Sequence, residues 1–217
     1  MILVPVKRLS GAKQRLASLL DQTARTQLAE AMLADVLDAV RGCRSCEQVG
    51  LVTSDPYAQD LARKFGFEII PDAEHSGESA AIEMATGICR ERGVPETLVI
   101  PGDIPLLQSS ELEDIFRAAP DEGSVLVPAG DGRGTNAALQ RPAGLFPLRF
   151  GNDSFKPHLA AAKATGQPCI VLRLPGIALD VDNPSDVQRL AELPGKTRAQ
   201  RLVREWRLSE LPAAASQ

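Results

Sequence analysis

The chain has 217 residues, of which 44% are hydrophobic, 24% charged and only 4% aromatic, with a formal net charge of -4. That length fits one domain around a core of Leu, Val, Ile and Ala, while the acidic balance and few aromatics exclude a basic, base-stacking nucleic-acid surface. No apolar run approaches the roughly 20 residues that span a bilayer, and MILVPVKRL is too short for a signal peptide, so the expectation is a cytoplasmic protein with neither nucleic-acid nor membrane partners.

Short β-type runs alternate with helical stretches nearly from end to end, which predicts an α/β fold with a mostly parallel sheet flanked by helices. ILVPV opens as a strand. TARTQLAEAMLADVLDAV carries Leu28, Met32, Val36 and Val40 at helical spacing and stops at Gly42. QVGLVTSD is a second strand ending at Ser54 and Asp55, and Asp55-Pro56 starts the helix YAQDLARKFG.

FEIIPD predicts a third strand and ESAAIEMATGICRERG a helix closing at Gly93. TLVIPGD is a fourth strand that delivers Asp103. SSELEDIFRAA predicts a serine-capped helix with acidic residues in its first turn, and SVLVPA a further strand. Beyond residue 130 the alternation loosens into Gly-, Asn- and Asp-rich segments, DGRGTNAALQRP and GLFPLRFGNDSF, where substrate contacts are expected. DSFKPHLAAAKATG resumes as a helix, PCIVLRLPGIALDVDNPSD gives edge strands and a helix start at Pro184, and KTRAQRLVREW a polar helix expected to pack on its own domain before a fraying LPAAASQ.

The four cysteines, at 43, 46, 89 and 169, are expected as free thiols. Cys43 and Cys46 lack the second close pair that a zinc site requires, and CRSC reads as a small turn after a helix. There is no GxSxG, and neither His75 nor His158 has a Ser or Cys partner in sequence; His158 reads as a helix-surface residue.

In open α/β sheets, ligands bind outside the carboxyl ends of the strands. Lys7 and Arg8 follow the first strand, Ser54 and Asp55 the second, and Asp103 the fourth, although any one of them could simply begin a polar loop. In PVKRLSGAKQRL, Lys7, Arg8, Lys13 and Arg15 surround Ser10-Gly11. That arrangement suits a triphosphate or, equally, a solvated loop; it is not a Walker A sequence.

Asp180 and Asp182 alternate with apolar residues in GIALDVD, which on an extended segment puts both on one face about 7 Å apart. Mg²⁺ held by oxygen ligands and phosphates would account for such a pair beside Asp103; capping by Asp182 and Asn183 of a helix that starts at Pro184 accounts for Asp182 but not Asp180. Thr135, Asn136, Gly151 and Ser154 offer uncharged donors to a carboxylate or phosphate, and Ser154 fits a helix cap equally well. An attacking phosphate, with a second pKa near 6, would need no general base.

Together, PVKRLSGAKQRL, TLVIPGDIPLL, GRGTNAAL, FGNDSFKPH and GIALDVDNPSDV resemble, in this order, the CofC/FbiD guanylyltransferases of deazaflavin coenzyme biosynthesis, over about residues 1 to 192. The resemblance implies a single nucleotidyltransferase domain of the glycosyltransferase-A type spanning 1–217, with a helical tail from about 194. It implies GTP as donor, Mg²⁺, and a small phosphorylated acid as acceptor: phosphoenolpyruvate, 2-phospho-L-lactate or 3-phospho-D-glycerate.

By the same resemblance, Asp103, Asp180 and Asp182 are the metal-binding carboxylates, and Thr135, Gly151 and Ser154, with Asn136 beside them, hold the acid. Lys7 and Lys13 face the triphosphate and act with Asp103 in catalysis; Arg8, Ser10, Ser54, Asp55 and Ser79 complete the nucleotide side. Where family members read GLNxA this chain has GESAA at 77–81. Functional coupling to the transferase that consumes the product is expected. The alternatives are another nucleotidyltransferase of this fold acting on a sugar phosphate or molybdopterin, which usually opens with LxAGGxGxRM, absent here, or a non-catalytic nucleotide-binding module.

Overall fold

The structure is a computed structural model, described here for residues 1–72, 77–151 and 153–206. Strand β1 (Ile2–Val6) lies in the interior of the sheet because its residues are apolar on both faces: Ile2, Val4 and Val6 enter one core and Leu3 the other. Around it run β2 (Val49–Thr53), β3 (Glu68–Ile70), β4 (Thr97–Val99), β5 (Gly123–Pro128), β6 (Thr135–Arg141) and β7 (Cys169–Val171). The sheet order is β3-β2-β1-β4-β6-β5-β7, with β6 antiparallel to both neighbours and the remaining pairings parallel.

The helices α1 (Gln22–Arg41), α2 (Pro56–Phe65) and α4 (Ser109–Ala118) cover one face of the sheet, and α3 (Glu78–Glu91) and α5 (Phe155–Ala164) the other. A third apolar cluster joins α1 to α6 (Pro184–Glu192) and α7 (Arg198–Glu205), with Trp206 partly buried against it. The carboxylate of Asp35 on α1 accepts the N–H groups of Arg198 at 2.8 Å and Ala199 at 2.9 Å, satisfying two donors at the start of α7. The polar C-terminal helix therefore packs on its own domain, as expected; LPAAASQ and His75 lie outside the described residues.

Chain order reverses across the sheet between β1 and β4. These strands pair only through Ile2 with Leu98 and Leu3 with Val99, so their carboxyl ends separate into a crevice at the topological switch point. β5 runs parallel to β4, and β6 enters from the same edge, which brings Thr135 there.

Four expectations change. The segment carrying Asp180 and Asp182 is not a strand, because its backbone is satisfied outside the sheet: Gly176 N–H donates to Glu111 Oε1 on α4 at 2.7 Å and Val181 N–H to Asp103 O at 3.1 Å. Helix α4 begins after Gln108 rather than at a capping serine, and the Ser109 hydroxyl donates to Ala39 O. Of Asp182 and Asn183, both read as capping a helix that starts at Pro184, only Asn183 caps α6, by accepting Asp186 N–H at 3.2 Å. His158 is buried, 1% exposed, where the sequence suggested helix surface. The CRSC turn keeps its modest reading: all four cysteines are free, and Glu113 accepts the N–H groups of Arg44 and Ser45 there.

Candidate active site

After β1 the chain turns through two short 3₁₀ segments, Leu9–Gly11 and Gln14–Leu16, with Lys13 between them at φ +56°. The left-handed backbone there coincides with a side chain that turns inward and is only 8% exposed. Lys13 Nζ lies 2.7 Å from Asp103 Oδ2 and 2.7 Å from Asp182 Oδ1, and Arg15 approaches Asp182 at 3.8 Å. Lys7 pairs with Glu78 Oε2 at 3.3 Å across the same opening, while Arg8 and Ser10 are exposed on the loop.

The remaining residues assigned to the nucleotide side are held by the scaffold. Asp55 is 5% exposed, and its two oxygens accept the N–H of Leu9 and of Ala58, each at 3.0 Å. Its carboxylate caps α2 and ties down the lysine loop, so the reading of Asp55 as a nucleotide contact gives way to an anchoring role. Ser54 donates to Asp72 O, and Ser79 to Phe150 O at 3.3 Å.

Charges in the opening set one another's protonation. Burial opposes the Lys13 ammonium, but Asp103 and Asp182 outweigh it and raise its pKa above the ordinary lysine value. Burial pushes Asp182 up, yet Lys13 beside it brings its pKa below the usual value. Asp180 and Glu78 are both shifted upward, mainly by burial, with Asp103 adding repulsion.

Across the cleft, Asn136 donates from Nδ2 to Ile177 O at 2.8 Å and to Asp180 Oδ1 at 3.3 Å. Thr135 N–H donates to Ser154 Oγ at 3.1 Å; both residues are 4% exposed. Gly151 has φ +146° and open space where a side chain would stand, so backbone can approach a ligand there. Arg133 forms a two-pronged ion pair with Asp153 at the rim.

Asp103, Asp180, Asp182, Thr135, Asn136, Gly151 and Ser154 line one cleft of about 600 Å³. Arg15, read from the sequence as one of the loop cations, and Glu78 of the GESAA segment line it too, as do Arg133 and Arg189, which sequence reasoning passed over. These last two gave no local signal, because their segments meet only in the fold.

Among the described residues no three His, Cys, Asp or Glu side chains converge into an all-protein metal cage. Asp103 and Asp182 nonetheless direct one oxygen each at a shared cation, the Lys13 ammonium. A pair of carboxylate oxygens facing a cleft fits Mg²⁺, which is bound through one or two carboxylates while phosphates and water fill the other positions.

The sequence profile described as "Guanylyl transferase CofC like" matches residues 1–217. The chain is 37% identical over 201 residues to a phosphoenolpyruvate guanylyltransferase of Conexibacter woesei, covering 90% of this chain and 89% of that protein. It is 37% identical over 204 residues to one of Roseiflexus castenholzii, covering 94% and 93%. Among solved structures it is similar to a nucleotidyl transferase from Methanothermobacter, with TM-score 0.61, 16% identity and coverage of 94% of this chain and 99% of that one. A protein from Desulfovibrio desulfuricans G20, assigned to the nucleotide-diphospho-sugar transferases, aligns with TM-score 0.74, 17% identity and coverage of 94% and 93%.

Proposed function

The chain belongs to the CofC-like guanylyl transferase family, and from that premise we propose that it transfers GMP from GTP to the phosphate of phosphoenolpyruvate, with 2-phospho-L-lactate and 3-phospho-D-glycerate as the other acids to be tested. The observation that carries this reading is the Lys13–Asp103–Asp182 cluster at the switch point, facing the uncharged donors Thr135, Ser154 and Gly151 across one cleft. One side suits a triphosphate and its metal, the other a small anion.

A phosphate oxygen of the acid bonds to the α-phosphorus of GTP while the bond from that phosphorus to the bridging oxygen breaks, and pyrophosphate leaves with the electron pair. The attacking oxygen is already ionised near neutral pH, so no side chain has to remove a proton. That agrees with a cleft in which the buried His158 is engaged elsewhere. Asp103 and Asp182, and Asp180 beside them, would hold Mg²⁺. When bound, Mg²⁺ neutralises charge on the reacting phosphates.

Lys13 keeps its proton through the reaction, because its carboxylate neighbours hold its pKa up, and it offers a fixed positive charge to the departing pyrophosphate. Lys7 and Arg8 sit at the loop's outer side to receive the rest of the triphosphate. Thr135, Ser154 and the Gly151 backbone orient the acid so that its phosphate meets the α-phosphorus in line.

Pyrophosphate release by the purified protein with Mg²⁺, each of the four nucleoside triphosphates and each of the three acids tests this directly. The expected result is release with GTP and phosphoenolpyruvate, captured by coupling to the transferase that consumes the product. GTP binding with no release from any acid would instead establish a nucleotide-binding module.

A further inference from the structure

His158 has no place in the phosphate chemistry, yet it is buried directly behind the acid side of the cleft. The backbone N–H of Arg149 lies 2.8 Å from its Nε2. A backbone N–H can only donate, so Nε2 accepts, and in a neutral ring the proton must then sit on Nδ1. Burial keeps the ring neutral, drawing its pKa down to about 4. Phe150 packs edge-on against the ring at 5.1 Å between centroids, which fixes its plane.

Nδ1 is 2.9 Å from Thr135 Oγ1, so with this tautomer the imidazole donates and the hydroxyl accepts. The Thr135 hydroxyl proton is thereby left for a partner on the cleft side. Ser154 Oγ is arranged in parallel: it accepts Thr135 N–H at 3.1 Å, which leaves its own proton to donate outward. Both residues line the cleft.

We propose that His158 is a positioning residue for the acceptor: by donating to Thr135 it turns that hydroxyl into an outward donor, which with Ser154 forms an uncharged two-donor seat for the carboxylate of the phosphorylated acid. The proposal rests on the functional reading above, which places the acid beside Thr135 and Ser154. Two neutral donors match a carboxylate that only accepts, and they add no cation to compete with Lys13 and the metal for the acid's phosphate.

An asparagine amide at 158 can reproduce the Nδ1 donor, whereas a glutamine amide reaches the Nε2 position. The proposal therefore expects His158→Asn to keep the KM for the acid within about threefold, and His158→Gln to raise it roughly tenfold, with the KM for GTP unmoved in both. Thr135→Val should raise the acid KM as His158→Gln does, and the double variant should be no worse than Thr135→Val alone, because both act through one hydroxyl.

A ring that only satisfies Arg149 N–H would give the reverse order, with Gln tolerated and Asn damaging, and would overturn the proposal; so would fully additive effects in the double variant. An unchanged acid KM in Thr135→Val would overturn the acid-site reading itself. Imidazole ¹⁵N NMR of the unmodified protein supplies a readout that needs no variant to fold: a protonated Nδ1 and bare Nε2 are expected, with and without the acid, and the opposite tautomer would overturn the proposal.

Discussion

Asp103 and Asp182 share one ammonium: Lys13 Nζ stands 2.7 Å from an oxygen of each. Asp103 comes from the turn after β4 and Asp182 from the segment entering α6, so their meeting is a product of the fold and not of any local motif. Like charges brought this close repel unless a cation lies between them. The cleft thus holds its carboxylates ready, with Lys13 in the role of counterion.

Asp103→Asn preserves the shape of the side chain and removes the charge. Turnover should fall by at least about 10²–10³-fold, since the lost interaction acts on the charge that develops during transfer. The thermal midpoint should barely move, because the carboxylate is 32% exposed and part of its pairing energy is screened. Steady-state pyrophosphate release, with Trp206 fluorescence following unfolding, measures both quantities; near-normal turnover would remove Asp103 from the chemistry.

At Lys13 the backbone conformation and the charge can be separated. Lys13→Ala and Lys13→Gly both delete the ammonium, but only glycine adopts φ +56° without penalty. Both variants should lose most activity, while the glycine variant should be more stable than the alanine one by about 1 kcal/mol. Urea denaturation of the pair decides it, and equal stabilities would mean that the left-handed turn carries no strain.

Acid should destabilise the fold through His158. Its pKa is about 4 when folded, against an ordinary value of 6.5. Between those values the unfolded chain binds a proton that the folded chain excludes, so stability is fully present above pH 6.5 and declines as the pH falls toward 4. The contribution is on the order of 3 kcal/mol when fully developed. Comparing unfolding free energies at pH 7 and pH 4.5 should show a smaller drop for His158→Asn than for the unmodified protein.

Gly176 admits no side chain. A Cβ there would lie 2.3 Å from Glu111 Oε2 and 2.4 Å from Leu106 O, and the first of these is a buried carboxylate occupied in capping α4. Gly176→Ala should cost about 1–3 kcal/mol through overpacking. It should also lower activity by shifting the segment that carries Asp180 and Asp182. Calorimetry and kinetics test the two effects, and a stable variant with lowered activity would locate the change in that segment alone.

Much of the framework was legible because its signals are local. The apolar strands, Gly42 after α1, and Asp55-Pro56 before α2 each state their role within a few residues. Asp103 was legible for a similar reason, standing at the end of a buried strand. The roles that escaped are those set by partners distant in sequence. Asp55 read as a ligand contact until Leu9 N–H was seen to occupy it, and His158 read as surface because Phe150, Arg149 and Thr135 close over it only in the fold. The alternation in GIALDVD suggested a strand, but Glu111 and Asp103 supply the hydrogen bonds that a neighbouring strand would have given.

The bond from Lys13 to Asp182 spans 169 residues, and that from Ala199 to Asp35 spans 164. During synthesis, a ribosome must therefore deliver almost the entire sequence before the lysine loop can meet its second aspartate and α1 can receive α7. A nascent chain carrying β1, β2 and β4 still lacks the second carboxylate of the Lys13 cluster, so that charge arrangement is completed only late in translation.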